Sequence, residues 1–136
     1  MEDNLQRLLE LGFGPAGEWQ LKSGQLSFQL DRYREGKNIL YAFVANGQVL
    51  YIGKSTRTLY ERMNNYKNAD STQRTNIKNY SRIKEDLEHN KRIEIYVFIR
   101  NESLIYRGVM VNLAAGLEDN LITMFKPPWN DLGNRS

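Results

Sequence analysis

The sequence predicts an α+β fold, a three-stranded antiparallel sheet flanked by helices, and three observations carry that expectation. Two runs of strand-forming residues, 39–44 and 49–52, are joined by Asn46-Gly47, a pair suited to a two-residue hairpin turn. Apolar residues then recur at helical spacing through 58–67 and 73–89. A partly alternating run over 93–99 supplies the third strand, and an apolar helix over 109–125 completes the order hairpin, helix, helix, strand, helix.

Each element has its own signal. Leu5, Leu8, Leu9 and Leu11 predict a short amphipathic helix over 3–12, stopped by Gly12 and Gly14-Pro15. Trp19 to Leu30 reads as an extended arm that turns at Ser23-Gly24, with Leu26, Phe28 and Leu30 alternating as in a short strand. In the hairpin, Tyr41 and Phe43 are expected on one face, and Val49 and Tyr51 are expected to share a face, because alternate strand residues point the same way. Gly53 ends the second strand. Leu59, Met63 and Tyr66 form one helical stripe; Ile77, Tyr80, Ile83 and Leu87 form another. Lys126-Pro127-Pro128 stops the last helix. No repeat, low-complexity tract or linker interrupts the chain.

Composition narrows the chemistry. With 136 residues, 40% hydrophobic and 26% charged, the chain is long enough and apolar enough for one folded domain. No apolar run approaches a membrane span. Met1-Glu2-Asp3-Asn4 lacks the basic start of a signal peptide, so a cytoplasmic, intracellular setting is expected. The absence of cysteine excludes disulfides, cysteine nucleophiles and thiolate metal sites. The single histidine, His89, falls at a helix end, where it is expected to meet carbonyls, so no histidine metal cluster or Ser-His-Asp triad is expected. Gly53-Lys54-Ser55 has the tail of a phosphate-binding loop but no glycine at the required spacing before it. The net charge is +3 and the pI about 9.2. Between Lys54 and Arg92, ten basic side chains face five acidic ones, a local excess of +5 that suits either a polyanion or a solvated helical surface.

Two charged residues stand where apolar ones are expected. Glu118 lies on the stripe of Ala114, Ala115, Leu121 and Ile122, nearly in line with Val111 and Phe125, while Asn112, Asp119, Asn120 and Thr123 form the polar side. A dehydrated carboxylate must meet a cation, either an Arg or Lys side chain or a divalent metal. Arg62 sits beside Leu59 and four residues before Tyr66, so it shares a face with that tyrosine. An arginine there serves a buried pair or anion recognition.

Taken in order, Leu40-Tyr41, then Tyr51-Ile52-Gly53, Lys54, Leu59, Arg62 and Tyr66, then Glu118 and Asn130 in Pro127-Pro128-Trp129-Asn130, the chain resembles the GIY-YIG nuclease family. The resemblance covers residues 39–130 and is nearest in character to the small phage endonuclease II and type II restriction endonuclease branch. It departs from the family in reading Ile39-Leu40-Tyr41 for Gly-Ile-Tyr, and in carrying Tyr66 where many relatives have histidine, which leaves the general base open. The resemblance implies the GIY-YIG fold over 39–130, a DNA-binding addition over 1–38 and a short tail at 131–136.

The resemblance also implies a reaction: hydrolysis of DNA phosphodiesters by in-line attack of water, leaving 3′-hydroxyl and 5′-phosphate ends. Tyr41 or Tyr66 would take the water proton, with Lys54 favouring the phenolate. Arg62 would hold the phosphate, Tyr51 would orient water or phosphate, and Asn130 would brace the site. Glu118 would hold one Mg²⁺ or Mn²⁺, which stabilises the departing oxygen. Arg57, Lys67, Arg74, Lys78 and Arg82 are the expected phosphate contacts; Lys22, Arg32, Arg34 and Lys37 are weaker ones. A homo-oligomer is expected, since one chain offers one site and double-strand cleavage needs two. A catalytically silent DNA-binding module on the same scaffold, and an unrelated fold in which Glu118 simply pairs with Arg62, are the alternatives.

Overall fold

The computed structural model describes residues 3–70, 72–98 and 104–130. The expected strand end at Ile99, the tail over 131–136, and Met1 and Glu2 lie outside the described residues.

The mixed α+β class holds, but the main sheet has five antiparallel strands, not three. In chain order the elements are α1 (Asn4–Leu11), β1 (Phe13–Lys22), β2 (Gln25–Leu30), β3 (Ile39–Ala45), β4 (Gln48–Ser55), α2 (Leu59–Lys67), α3 (Arg74–Glu88), β5 (Glu94–Phe98), β6 (Leu104–Tyr106), β7 (Val109–Val111) and α4 (Leu113–Phe125). The five strands run in the order β2-β1-β5-β3-β4, and β6 and β7 form a separate two-stranded sheet. The expected arm is therefore a hairpin built into the sheet. Gly14-Pro15, expected to stop a helix, lies instead in β1 with Gly17, where the register with β5 shifts between Pro15 and Gly17. Gly17 lies so close to β2 that an added Cβ would stand 1.9 Å from the Gln29 carbonyl oxygen.

Three hairpins turn on two residues that both have positive φ, Ser23-Gly24, Asn46-Gly47 and Arg107-Gly108. Such pairs match the twist of the strands they join. The third of these was not foreseen. It makes 109–111 a strand, so the last helix begins at Leu113, with Asn112 as its cap, instead of at 109.

The sheet is covered on both faces, which is why all seven residues of β3 are buried. On one face, α2 and α3 close a core of Trp19, Tyr41, Phe43, Leu59, Met63, Tyr66, Ile83 and Ile95. On the other, α1 and α4 pack Leu8, Leu121, Ile122 and Phe125 on Leu40, Ala42, Val44 and Ile52. The register of β3 against β4 shifts at Leu50, where Phe43 pairs with Tyr51 but Val44 with Val49. This bulge corrects the expected alternation: Val49 joins the α4 face, whereas Leu50 and Tyr51 both join the α2 face. His89 caps α3 as expected, its Nδ1 lying 2.8 Å from the Glu85 carbonyl oxygen.

Candidate active site

The site is assembled around the outer strand β4 and its neighbour β3. Tyr41 on β3 and Tyr66 on α2 are both fully buried, and their hydroxyls are 2.6 Å apart. Arg62, one helical turn before Tyr66, donates from Nε to the Tyr41 hydroxyl at 3.1 Å and from Nη2 to the Tyr66 hydroxyl at 2.9 Å. Its guanidinium also lies 4.1 Å from the centre of the Tyr66 ring. The helix that holds these groups starts at a capping box, in which Thr58 and Glu61 each bond the other's backbone N–H. Arg62 is half-buried and forms no ion pair among the described residues.

Gly53 makes room for this cluster. It pairs with Tyr41 across the strands, and an added Cβ would stand 2.7 Å from the Tyr41 hydroxyl and 2.8 Å from the Tyr51 ring. Tyr51 packs against Phe43 with ring centres 5.7 Å apart and stays half-buried at the strand edge.

Burial dominates the electrostatics. It pushes the Tyr41 phenol well above its ordinary range, Tyr51 adds to this, and Arg62 opposes both. Tyr66 is raised by burial and by Tyr41, again against Arg62. Tyr51 is raised by burial and by Tyr66, and the Glu118 carboxylate is near enough to contribute. Arg62 is held above its ordinary value: burial works against its charge, but the tyrosine oxygens outweigh it.

Glu118 and Lys54 occupy the other side of β4. Lys54 pairs across the strands with Leu40 and so faces α4, where its Nζ lies 3.9 Å from a Glu118 carboxylate oxygen. Glu118 shares the inward side of α4 with Leu121, Ile122 and Phe125, and its side chain is 15% exposed, whereas Asp119 is exposed. Ala115, expected on the same stripe, is exposed as well. The cation bonded to the phenols is therefore Arg62, and Lys54 accompanies the carboxylate. The alternative in which Glu118 is neutralised by Arg62 does not hold.

Asn130 clamps β4 from outside the sheet. Its Oδ1 accepts from the Ile52 N–H at 3.0 Å and its Nδ2 donates to the Ile52 carbonyl at 2.9 Å. The Trp129 N–H donates to the Leu50 carbonyl at 2.8 Å. The segment thus satisfies the open edge of β4, which would otherwise present unpaired backbone groups.

Among the expected phosphate contacts, Lys78 and Arg82 line a cleft beside Tyr51 together with Thr75, Asn79, Trp129 and Asn130. Asn79 carries no sequence signal, being one polar residue on a mostly polar helix, yet it is buried and its Nδ2 lacks a hydrogen-bond partner among the described residues. Lys67 lines a second cleft with Lys22, Arg34 and Tyr60, where the Arg34 guanidinium lies 4.6 Å from the Tyr60 ring centre. Arg57 is exposed and 3.9 Å from Glu61, and Arg74 is exposed at the start of α3. Arg32 and Lys37 are exposed in the connection between β2 and β3.

No cluster of three or more acidic, histidine or cysteine side chains occurs among the described residues. A hard cation that keeps most of its waters and takes one carboxylate plus phosphate oxygens is compatible with Glu118 as that carboxylate.

No protein-family model and no curated protein sequence matches the chain. Solved structures do. The E118A mutant of bacteriophage T4 EndoII is 25% identical with a TM-score of 0.73, over 96% of this chain and 99% of that one. The restriction endonuclease HPY188I, in complex with product DNA, is 19% identical with a TM-score of 0.54, over 89% of this chain and 79% of that one. The chain therefore has a nuclease fold, shared with a phage endonuclease and a restriction endonuclease.

Proposed function

We propose that this chain is a DNA endonuclease of the GIY-YIG kind, hydrolysing phosphodiesters with Mg²⁺ or Mn²⁺ and leaving 3′-hydroxyl and 5′-phosphate ends. The observation that carries the reading is Arg62, a half-buried guanidinium bonded to two phenol oxygens and paired with no carboxylate among the described residues. Such a group is positioned for an anion with several oxygens, and a backbone phosphate is one. The likeness to bacteriophage T4 EndoII, and to HPY188I holding product DNA, supports DNA as that anion.

In this reading Arg62 binds the scissile phosphate and stabilises the charge that builds on it in the transition state. Tyr41 or Tyr66 accepts the proton of the attacking water. Because their hydroxyls are 2.6 Å apart, one phenol donates to the oxygen of the other, and Arg62 stabilises negative charge on either. Tyr51 orients water or phosphate at the open edge. Glu118 would hold the divalent cation, which when bound neutralises charge on the departing oxygen. Lys54 adds positive charge beside it. Asn130 fixes the β4 backbone, and with it Gly53 and Tyr51. Lys78, Arg82 and Asn79 extend the path for DNA on one side of the site, and Lys67 extends it on the other with Lys22 and Arg34 from the 1–38 segment. Arg57 and Arg74 complete the set.

Plasmid DNA incubated with the protein and Mg²⁺ tests this reading. Cleavage should vanish in EDTA and in Glu118→Ala. Arg62→Ala should lower turnover by about 10²–10³-fold, as for loss of a transition-state donor, with DNA affinity changed only a few-fold. Cleavage that survives EDTA or Glu118→Ala would overturn the mechanism. DNA that is bound and never cut would leave a silent binding module.

A further inference from the structure

The second cleft lies between β2, the connection from β2 to β3, and the outer flank of α2. Lys22, Phe28, Arg34, Tyr60 and Lys67 line it, and no carboxylate does among the described residues. Arg34 is its most ordered cation. The exposed guanidinium lies 4.6 Å from the centre of the Tyr60 ring, and Phe28 braces that ring edge-on at 5.7 Å. The Arg34 backbone is fixed too. Its carbonyl accepts the Tyr60 N–H at 3.1 Å, a first-turn donor with no partner inside α2. Tyr33 beside it has φ 61°, a left-handed conformation that a bulky side chain rarely adopts. Yet among the described residues the Arg34 guanidinium makes no ion pair. A solvated arginine ordinarily keeps its rotamer freedom. One that is oriented and unpaired loses less entropy when a ligand arrives.

We infer that Arg34 determines sequence specificity, reading a guanine edge in the major groove away from the scissile step, while Lys22 and Lys67 hold nearby phosphates. This rests on the endonuclease reading. A phosphate contact alone needs only a flexible cation, which the two lysines supply. A braced guanidinium offers a fork of N–H donors that matches guanine O6 and N7, the commonest specific contact to a base. The helix sets the position. Tyr60 and Arg62 are two residues apart, so they leave α2 about 200° apart, on opposite flanks of a cylinder about 10–12 Å across. At about 3.4 Å per base pair, a duplex lying across α2 meets Arg34 about three or four base pairs from the phosphate assigned to Arg62.

Digestion of random-sequence DNA by the full chain with Mg²⁺, followed by sequencing of the ends, tests this. Guanine should be enriched about fivefold or more at one position about three or four base pairs from the cut. Arg34→Ala should still cut, with that enrichment gone and any preference beside the cut unchanged. Arg34→Gln should turn the enrichment toward adenine, whose N6 and N7 suit a side-chain amide. Both variants should keep the wild-type far-UV circular dichroism spectrum, because the side chain is exposed and the anchor is a backbone carbonyl. Lys22→Ala and Lys67→Ala should weaken binding to every sequence alike, measured by fluorescence anisotropy in EDTA, each lowering the slope of log affinity against log salt by about 0.9. Wild-type cutting without such an enrichment, or an enrichment that persists in Arg34→Ala, would overturn the role of Arg34 and leave the endonuclease reading standing. DNA left uncut by the wild-type chain would overturn that reading, and the role of Arg34 with it.

Discussion

Gly53→Ala isolates the steric demand at the centre of the site. The backbone at Gly53 is not left-handed, so alanine adds only a methyl group, and that methyl has nowhere to go. It would stand 2.7 Å from the Tyr41 hydroxyl, 2.8 Å from Tyr41 Cζ and 2.8 Å from Tyr51 Cε2, against 3.4 Å for ordinary contact. Tyr41 must retreat by about 0.7 Å, the difference between those two distances. Phe43, Tyr51 and Tyr66 hold its ring at centre distances of 5.6, 6.3 and 6.3 Å, so the retreat overpacks a filled core. Overpacking costs about 1–3 kcal/mol, a fall of roughly 4–12 °C in Tm for a domain of this size. The same shift disturbs the 2.6 Å contact to Tyr66 and the 3.1 Å bond from Arg62. Misplacement on that scale is worth about 10–100-fold in rate. Urea titration of the variant, with plasmid nicking by the same preparation, measures both. A variant with wild-type stability and wild-type turnover would refute the reasoning that Gly53 makes room for Tyr41.

Gly116→Ala is the matched control: it lies in α4 with nothing within 4 Å of an added Cβ, and should raise stability by about 0.5–1 kcal/mol in the same urea titration. Asn130→Ala strands both buried polar groups of Ile52 and should cost about 2–4 kcal/mol. Asn130→Asp keeps the acceptor for the Ile52 N–H but sets a carboxylate against its carbonyl, so it should rescue little of that loss. Tyr41, Tyr51 and Tyr66 are all held above their ordinary value of 10.0 in the folded chain, so the stability linked to them is fully present below pH 10 and is lost as pH rises above it. Absorbance at 295 nm should show these phenols ionising only as circular dichroism reports unfolding; early ionisation of all eight tyrosines in folded protein would contradict their burial. If a phenolate is the base, cleavage at saturating Mg²⁺ should climb about tenfold per pH unit between 7 and 9 with no plateau, and a plateau below pH 8 would point to another group.

How much of this could be read from the chain depended on whether a residue's neighbours were set locally. Arg62 and Tyr66 are one turn apart, so helical spacing alone places them together, and the bonded pair follows that spacing. Glu118 is legible for the same reason: its place among Leu121, Ile122 and Phe125 marks a carboxylate on the covered side of α4. The turn at Ser23-Gly24 and the alternation of β2 were legible, but β1 and its place in the main sheet were not, because Gly14, Pro15 and Gly17 break the alternation that marks a strand, and the reasons β1 tolerates them, a bulge and a close approach to Gln29, are tertiary. The bulge at Leu50 is invisible in a similar way. One extra residue on β4 reverses the face of everything beyond it, and only the pairing with β3 shows that it is there. The partner of Lys54 turned on the same kind of information. On the sequence Lys54 is three residues from Tyr51, but it lies one residue from Gly53, and successive strand residues face opposite sides. With Gly53 turned toward Tyr41, Lys54 must point toward α4, and that places Lys54 with Glu118 and leaves Arg62 as the cation bonded to the phenols.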